Sequence, residues 1–214
     1  MQGIMFGEYH SYADFNLLLA AEGIEDVPPA LQENYLDVPY RNKLLDMSEA
    51  FGKRAYGKRT PSYTFMVVQG SESWDEIIRK ISGAIHGKQM KIIYDRDPDY
   101  YLLGRASVNS FKSDKGIGTV VIDAVCDPFK YKLQATSKTF AVNGTSNITL
   151  ENEGETAYPK VTTTAAMQVV QGDSSFSFGV VTDYQSKVKL SQGANNLTVK
   201  GTGNITFAYQ EGVL

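Results

Sequence analysis

Alternation with a period of two runs through most of this chain, and it constrains the fold more than any other feature. In Tyr63-Thr64-Phe65-Met66-Val67, Thr119-Val120-Val121-Ile122-Asp123-Ala124-Val125 and Asn204-Ile205-Thr206-Phe207-Ala208-Tyr209, an apolar side chain recurs at every second position. Successive residues of such a segment face opposite sides of an extended strand, so one side can be buried while the other is wet. A chain made of these segments has to stack or curl its sheets to cover their apolar faces. The expected class is mainly β.

One segment departs from that period. Trp74, Ile77, Ile78, Ile81 and Ile85 follow the spacing that lines up one face of an α-helix. Ser73 with Glu76 forms a capping box at its start, and Gly87 stands where a left-handed residue ends a helix. The spacing predicts a helix over 73–86, packed on a sheet.

Composition changes after Asp127-Pro128-Phe129-Lys130. Before it lie most of the Arg, the single Trp and the helix; after it the chain is rich in Thr, Ser, Asn, Val and Gly, with turn signals at Asn143-Gly144 and Gly201-Thr202-Gly203. Two domains are expected, 1–130 and 131–214, the second a small antiparallel sandwich of jelly-roll or galectin-like type. Within the first, Ile24 to Asn42 carries Pro28-Pro29 and Pro39. Prolines bar this stretch from a central strand and stiffen its base, so it is expected to project as an arm or hairpin.

Several function classes fall away. A formal net charge of −3 argues against a dedicated nucleic-acid binder. The apolar runs, such as Leu17 to Ala21, are far shorter than a membrane span. The start, Met1 to Glu8, lacks the pattern of a secretory signal, and a single cysteine, Cys126, suits a reducing compartment; synthesis in the cytoplasm is the expectation.

The candidate chemical motifs are all incomplete. Gly52 to Thr60 nearly spells a P-loop, but Arg59 stands where a Ser or Thr must hold magnesium, so Lys53, Arg54, Lys58 and Arg59 read as a solvated or inter-subunit loop. Asp95, Asp97 and Asp99 alternate as in a calcium loop that lacks its glycine and bidentate glutamate, which leaves a turn between strands. His10 and His86 have no zinc spacing, and His86 suits a helix C-terminus as a cation. Gly116-Ile117-Gly118 after Ser113-Asp114-Lys115 reads as a hairpin turn. The triplets at Asn143, Asn147, Asn196 and Asn204 read as strand and turn composition, and Glu151, Glu153 and Glu155 as a solvated acidic turn. No catalytic residue, cofactor site or metal site is expected.

The order of further segments carries a family resemblance. Phe6-Gly7 is followed by a Tyr12-Ala13-Asp14-Phe15 segment read as a strand, Val38-Pro39-Tyr40-Arg41-Asn42-Lys43-Leu44-Leu45-Asp46, Ala50-Phe51-Gly52, Tyr56 and Arg59. Then come His86-Gly87-Lys88, Ile92 through Tyr101, Gly104-Arg105, Asn152-Glu153-Gly154, Tyr158-Pro159-Lys160-Val161, Gly193 through Leu197, and Ile205 through Tyr209. In this order and along nearly its whole length the chain resembles the distal tail proteins (Dit) of long-tailed, siphovirus-type bacteriophages and prophages. The family often carries glycine where Tyr40 stands.

The resemblance implies an N-terminal β-sandwich with one helix and a projecting arm, assembled as a hexameric ring around a channel through which DNA passes without specific binding. It implies a C-terminal sandwich outside that ring, and a virion location at the tail tip. The partners it implies are the major tail tube protein, a tail-associated hub protein and a receptor-binding protein. Leu31, Tyr35, Leu36, Val38 and Tyr40 on the arm are the expected oligomer interface, since apolar groups on an isolated hairpin would otherwise be exposed. The alternative reading is a carbohydrate-binding module for host cell-wall saccharides, with a stacking platform drawn from Tyr131, Phe176, Phe178, Tyr184 and Tyr209.

Overall fold

The structure, a computed structural model, describes residues 2–50, 52–68, 70–114 and 116–214. Phe51 of the Ala50-Phe51-Gly52 motif and Lys115 of the hairpin turn lie outside the described residues. The molecule is mainly β, with two helices among the described residues, and it divides into two compact units, Met1–Lys130 and Tyr131–Val213.

The first unit contains β1 (Ile4–Phe6), β2 (Tyr9–His10), α1 (Ser11–Phe15), β3 (Leu18–Glu25), β4 (Tyr35–Leu36), β5 (Leu45–Asp46), β6 (Ser62–Val68), α2 (Trp74–Ile85), β7 (Lys88–Tyr94) and β8 (Asp97–Asp114), and most of β9 (Ile117–Lys132). Its main sheet has the order β2-β1-β7-β8-β9-β6-β3. This sheet curls strongly. Phe6 of β1 and Tyr63 of β6 belong to strands with three others between them, yet their rings meet edge to face at 5.5 Å. Phe65 closes on the same Phe6 ring at 6.2 Å. The alternation in β6 explains the arrangement: Tyr63, Phe65 and Val67 point into the core, while Thr64, Met66 and Val68 point away.

Helix α2 covers the open side of that core with Ile77, Ile81, Ala84 and Ile85. Its capping box is made in both directions, the Ser73 N–H donating to Glu76 at 2.8 Å and the Glu76 N–H to the Ser73 hydroxyl at 3.4 Å. Gly87 follows with φ +75°.

The expectation of a strand over Tyr12–Phe15 is not met, because these residues form α1. His10 caps it: its Nδ1 accepts the N–H groups of Tyr12 and Ala13 at 3.2 and 3.1 Å. A cap built on imidazole is invisible to a search for Ser, Thr, Asp or Asn.

The second unit holds β10 (Thr136–Asn152), β11 (Lys160–Thr163), β12 (Met167–Gln171), β13 (Ser174–Phe178), β14 (Val181–Gln185) and β15 (Gly193–Tyr209). Here the expected turns at Asn143-Gly144 and Gly201-Thr202-Gly203 are not turns. They are paired with each other inside two 17-residue strands, Asn143 opposite Thr202 and Gly144 opposite Gly201. Gly144, Gly201 and Gly203 have φ of +82°, +141° and +145°, values that side-chain-bearing residues rarely adopt. The ribbon bends there and changes layer. On one side of the bend β15 pairs with β12 through Thr198–Gly201, and on the other with β11 through Ile205–Ala208. Strands that switch layers at a bend are how a sandwich turns its corner. Leu150, Val161, Val169, Leu190, Leu197, Val199, Ile205 and Phe207 fill the space between.

Candidate functional site

Between β3 and β6 the chain leaves its core and makes a long excursion. At its root, Asp26 follows directly after β3 and Arg59 precedes β6 by three residues. Arg59 Nε donates to Asp26 Oδ1 at 2.7 Å, and both side chains are less than 10% exposed, at 6% and 8%. Lys130 lies 3.7 Å from the other oxygen of Asp26 and 3.7 Å from Asp97. The Tyr94 hydroxyl approaches Asp26 at 3.5 Å and the Tyr63 hydroxyl at 3.0 Å. Burial is the main reason both phenols are held above their ordinary range. Arg59 Nη1 is buried without a hydrogen-bond partner. A charge pair this dry persists only because each member answers the other, so the two ends of the excursion are tied across 33 residues.

Beyond the root the two limbs run side by side. The Gly57 N–H donates to the Ala30 carbonyl and the Gln32 N–H to the Ala55 carbonyl, both at 2.8 Å, with Leu31 bridged to Tyr56. Tyr56 packs edge to face on Phe129 at 5.8 Å. Further out, β4 and β5 pair Tyr35 with Asp46 and Leu36 with Leu45. Ser48 braces this short ladder: its hydroxyl accepts the Asn34 N–H, and its own N–H donates to Asp46 Oδ1, both at 2.9 Å. Arg54 is held by Glu49 at 2.9 Å.

At the tip, the Arg41 N–H donates to the Val38 carbonyl at 3.1 Å, closing a turn with Pro39 second and Tyr40 third. Tyr40 has φ +65°. Proline followed by a left-handed residue is the pattern of a type II turn, whose third position favours glycine. Tyrosine there costs about 1–2 kcal/mol of backbone strain. The residue is fully exposed, so nothing in its own chain compensates.

The five expected interface residues therefore lie along one projecting element. Leu31, Tyr35, Leu36 and Tyr40 are exposed, and Val38 is half-buried at the turn. Its limits differ from the expected 24–42. Ile24 pairs with Tyr63 in β3 and packs on the core, whereas the returning limb continues to Gly57. The sequence reading also missed Leu44 and Leu45, exposed beside the others, because it ended the arm before them. Arg59, expected on a solvated or inter-subunit loop, is instead buried against Asp26, a partner too far along the chain for any spacing rule to find.

No family model matches the sequence, and no curated protein does. Among solved structures, the SPP1 Dit (gp 19.1) protein, described as a paradigm of hub adsorption apparatus in Gram-positive infecting phages, is similar over 100% of both chains, with TM-score 0.70 at 15% identity. The chain has the fold of a phage distal tail protein.

Within this Dit fold, many of the motif residues serve structure. Asn152 is buried and donates to the carbonyls of Glu155 and Leu190 at 2.8 and 3.1 Å. Asn195 accepts the Ser191 N–H at 2.8 Å and donates back to the Ser191 carbonyl at 2.7 Å. The three alternating aspartates do not converge: Asp95 receives the Gly3 N–H at 2.7 Å and His10 Nε2 at 3.1 Å, while Asp97 turns to Lys130. His86 Nδ1 accepts the Val108 N–H at 3.1 Å, which ties the end of α2 to β8. Gly118 belongs to β9, beneath Trp74 and Phe111, and not to the hairpin turn.

Asn147 and Thr198, and likewise Thr149 and Asn196, face each other across β10 and β15 with side-chain hydrogen bonds of 2.8 Å, so these triplets form a polar ladder. Glu153 is bound by Lys132 at 2.8 Å. The suggested stacking platform is not formed. Phe178 and Tyr209 are core residues and Phe176 packs against them, which leaves Tyr184 as the exposed ring of the five. Among the described residues no group of His, Cys, Asp and Glu is placed to hold a metal ion.

Proposed function

We propose that this chain is a structural subunit of a phage tail tip, in which six copies of the first unit close a ring between the tail tube and a hub protein, with no enzymatic role. The observation that carries this reading is the arm: Leu31, Tyr35, Leu36, Tyr40, Leu44 and Leu45 are exposed on one projecting hairpin that its own chain leaves uncovered. Two-stranded hairpins are marginal alone, and apolar groups gathered on one mark a contact with a partner. A closed ring needs a heterologous interface, one patch meeting a different patch on the neighbour, and an arm supplies such a patch. The likeness to SPP1 Dit over the full length of both chains supports the same reading.

In this assembly the second unit lies outside the ring and is available for receptor-binding components. DNA passes through the channel without sequence-specific contact, in keeping with the net charge of −3. Native mass spectrometry and negative-stain microscopy of the purified chain should show six-membered rings. A virion whose tail tip lacks six copies of this chain would sink the reading.

A further inference from the structure

His10 stands where β2 passes into α1, beside the turn between β7 and β8, and both nitrogens of its ring are committed. Nδ1 accepts the N–H groups of Tyr12 and Ala13 at 3.2 and 3.1 Å and so caps α1. Nε2 lies 3.3 and 3.1 Å from the two carboxylate oxygens of Asp95. A nitrogen that faces two donors must present its lone pair, and one that faces a carboxylate must carry a proton. The ring is therefore the neutral form with its proton on Nε2.

The surroundings hold it there. A Cβ on Gly3 would lie 2.5 Å from the ring, and the Gly3 N–H shares Asp95 with it at 2.7 Å. Among the described residues, the charged groups bonded to His10 are Asp95 and Asp14, whose carboxylate accepts the His10 backbone N–H at 2.6 Å. β1 and the rest of β2 bring no charged side chain, and Arg96 lies over the Tyr94 ring at 5.4 Å.

We propose that His10 makes this corner of the first unit respond to mild acid. Imidazole ordinarily titrates between about pH 5 and 8. The one place left for a second proton is Nδ1, where it meets two donors. Protonation exchanges contacts: the cap on α1 is lost, and the hydrogen bond to Asp95 becomes a full ion pair. The change is local. Ser11 and Phe15 are buried, and the N–H groups of Asn16 and Leu17 hold the carbonyls of Tyr12 and Ser11 at 2.9 Å, so the far end of α1 stays in place while the N–H groups of Tyr12 and Ala13 come free. Tyr12 is exposed on this turn, which puts the response at the surface.

Nuclear magnetic resonance of the isotope-labelled full chain tests the switch. At pH 8 the His10 ring should show a protonated Nε2 and a bare Nδ1. As the ring titrates, the Tyr12 and Ala13 amide signals should move with the same midpoint. Once it is protonated, their hydrogen exchange, corrected for the intrinsic rate at each pH, should be about fivefold faster. His10→Asn keeps a good capping side chain without the titrating group, so its Tyr12 and Ala13 amides should hold steady over the same range. A ring with its proton on Nδ1 at pH 8, amides that keep their protection when the ring is protonated, or the same response in His10→Asn would each overturn the switch.

Discussion

At the residue scale, the most consequential pair is Asp26 with Arg59. Removing one member of a buried ion pair strands the other, at a cost of about 3–5 kcal/mol, but the two removals are not equivalent. With Arg59→Met, Asp26 keeps Lys130 at 3.7 Å and the Tyr94 hydroxyl at 3.5 Å. With Asp26→Ala, the guanidinium loses its carboxylate and already has one nitrogen unsatisfied. Chemical denaturation should therefore show Asp26→Ala as the more destabilised; equal or reversed losses would contradict this picture of the root. Cys126 makes a second prediction. Burial, aided by the nearby Asp26 and Asp127, pushes its thiol up to about 12. The thiolate is the reactive form, so at pH 8 the native protein should resist alkylation and react only on unfolding, as mass spectrometry would show.

At the element scale, α2 shows a local code that survives into the fold. Glu76 is held below its ordinary value of 4.5 by the backbone N–H and then the hydroxyl of Ser73. A carboxylate depressed in the folded state adds stability above its unfolded value, and this is lost as pH falls through the folded one. Ser73→Ala should cost about 1 kcal/mol at neutral pH. Its difference in melting temperature from wild type should shrink as pH drops below 4.5, because the protonated Glu76 no longer rewards the cap. The arm is the opposite case, an element whose apolar residues serve no core of their own. Tyr35→Asp with Val38→Asp should leave circular dichroism unchanged while analytical ultracentrifugation shows loss of assembly. Loss of fold would mean that the arm packs on its own unit.

At the scale of the molecule, the two units have separate cores, Ile4 to Cys126 in one and Val142 to Tyr209 in the other. Independent cores favour independent folding. The fragment 1–130 is expected to fold and to form rings without the second unit, read by thermal melting and native mass spectrometry. A fragment that fails to fold while the full chain does would show that the division at 130 is not one of stability.

The sequence by itself determined what depends on neighbours within one turn or one strand. Alternation in β6 and β9, the helical spacing from Trp74 to Ile85, its capping box and the Asp95-Arg96 hairpin were all legible, because their period and caps are local. The composition break after Lys130 was legible for a similar reason, since two cores of different kind draw on different residues. Where the same residues serve two geometries, the local reading failed. Glycines at 144, 201 and 203 signal a turn in isolation, yet paired across two strands they bend a sandwich corner. Only the tertiary structure decided that Arg59 closes the arm on Asp26, that the returning limb reaches Gly57, and that the rings of Phe178 and Tyr209 are core. Each of these is a contact between residues far apart in the chain, and burial makes such contacts strong without leaving any spacing to read.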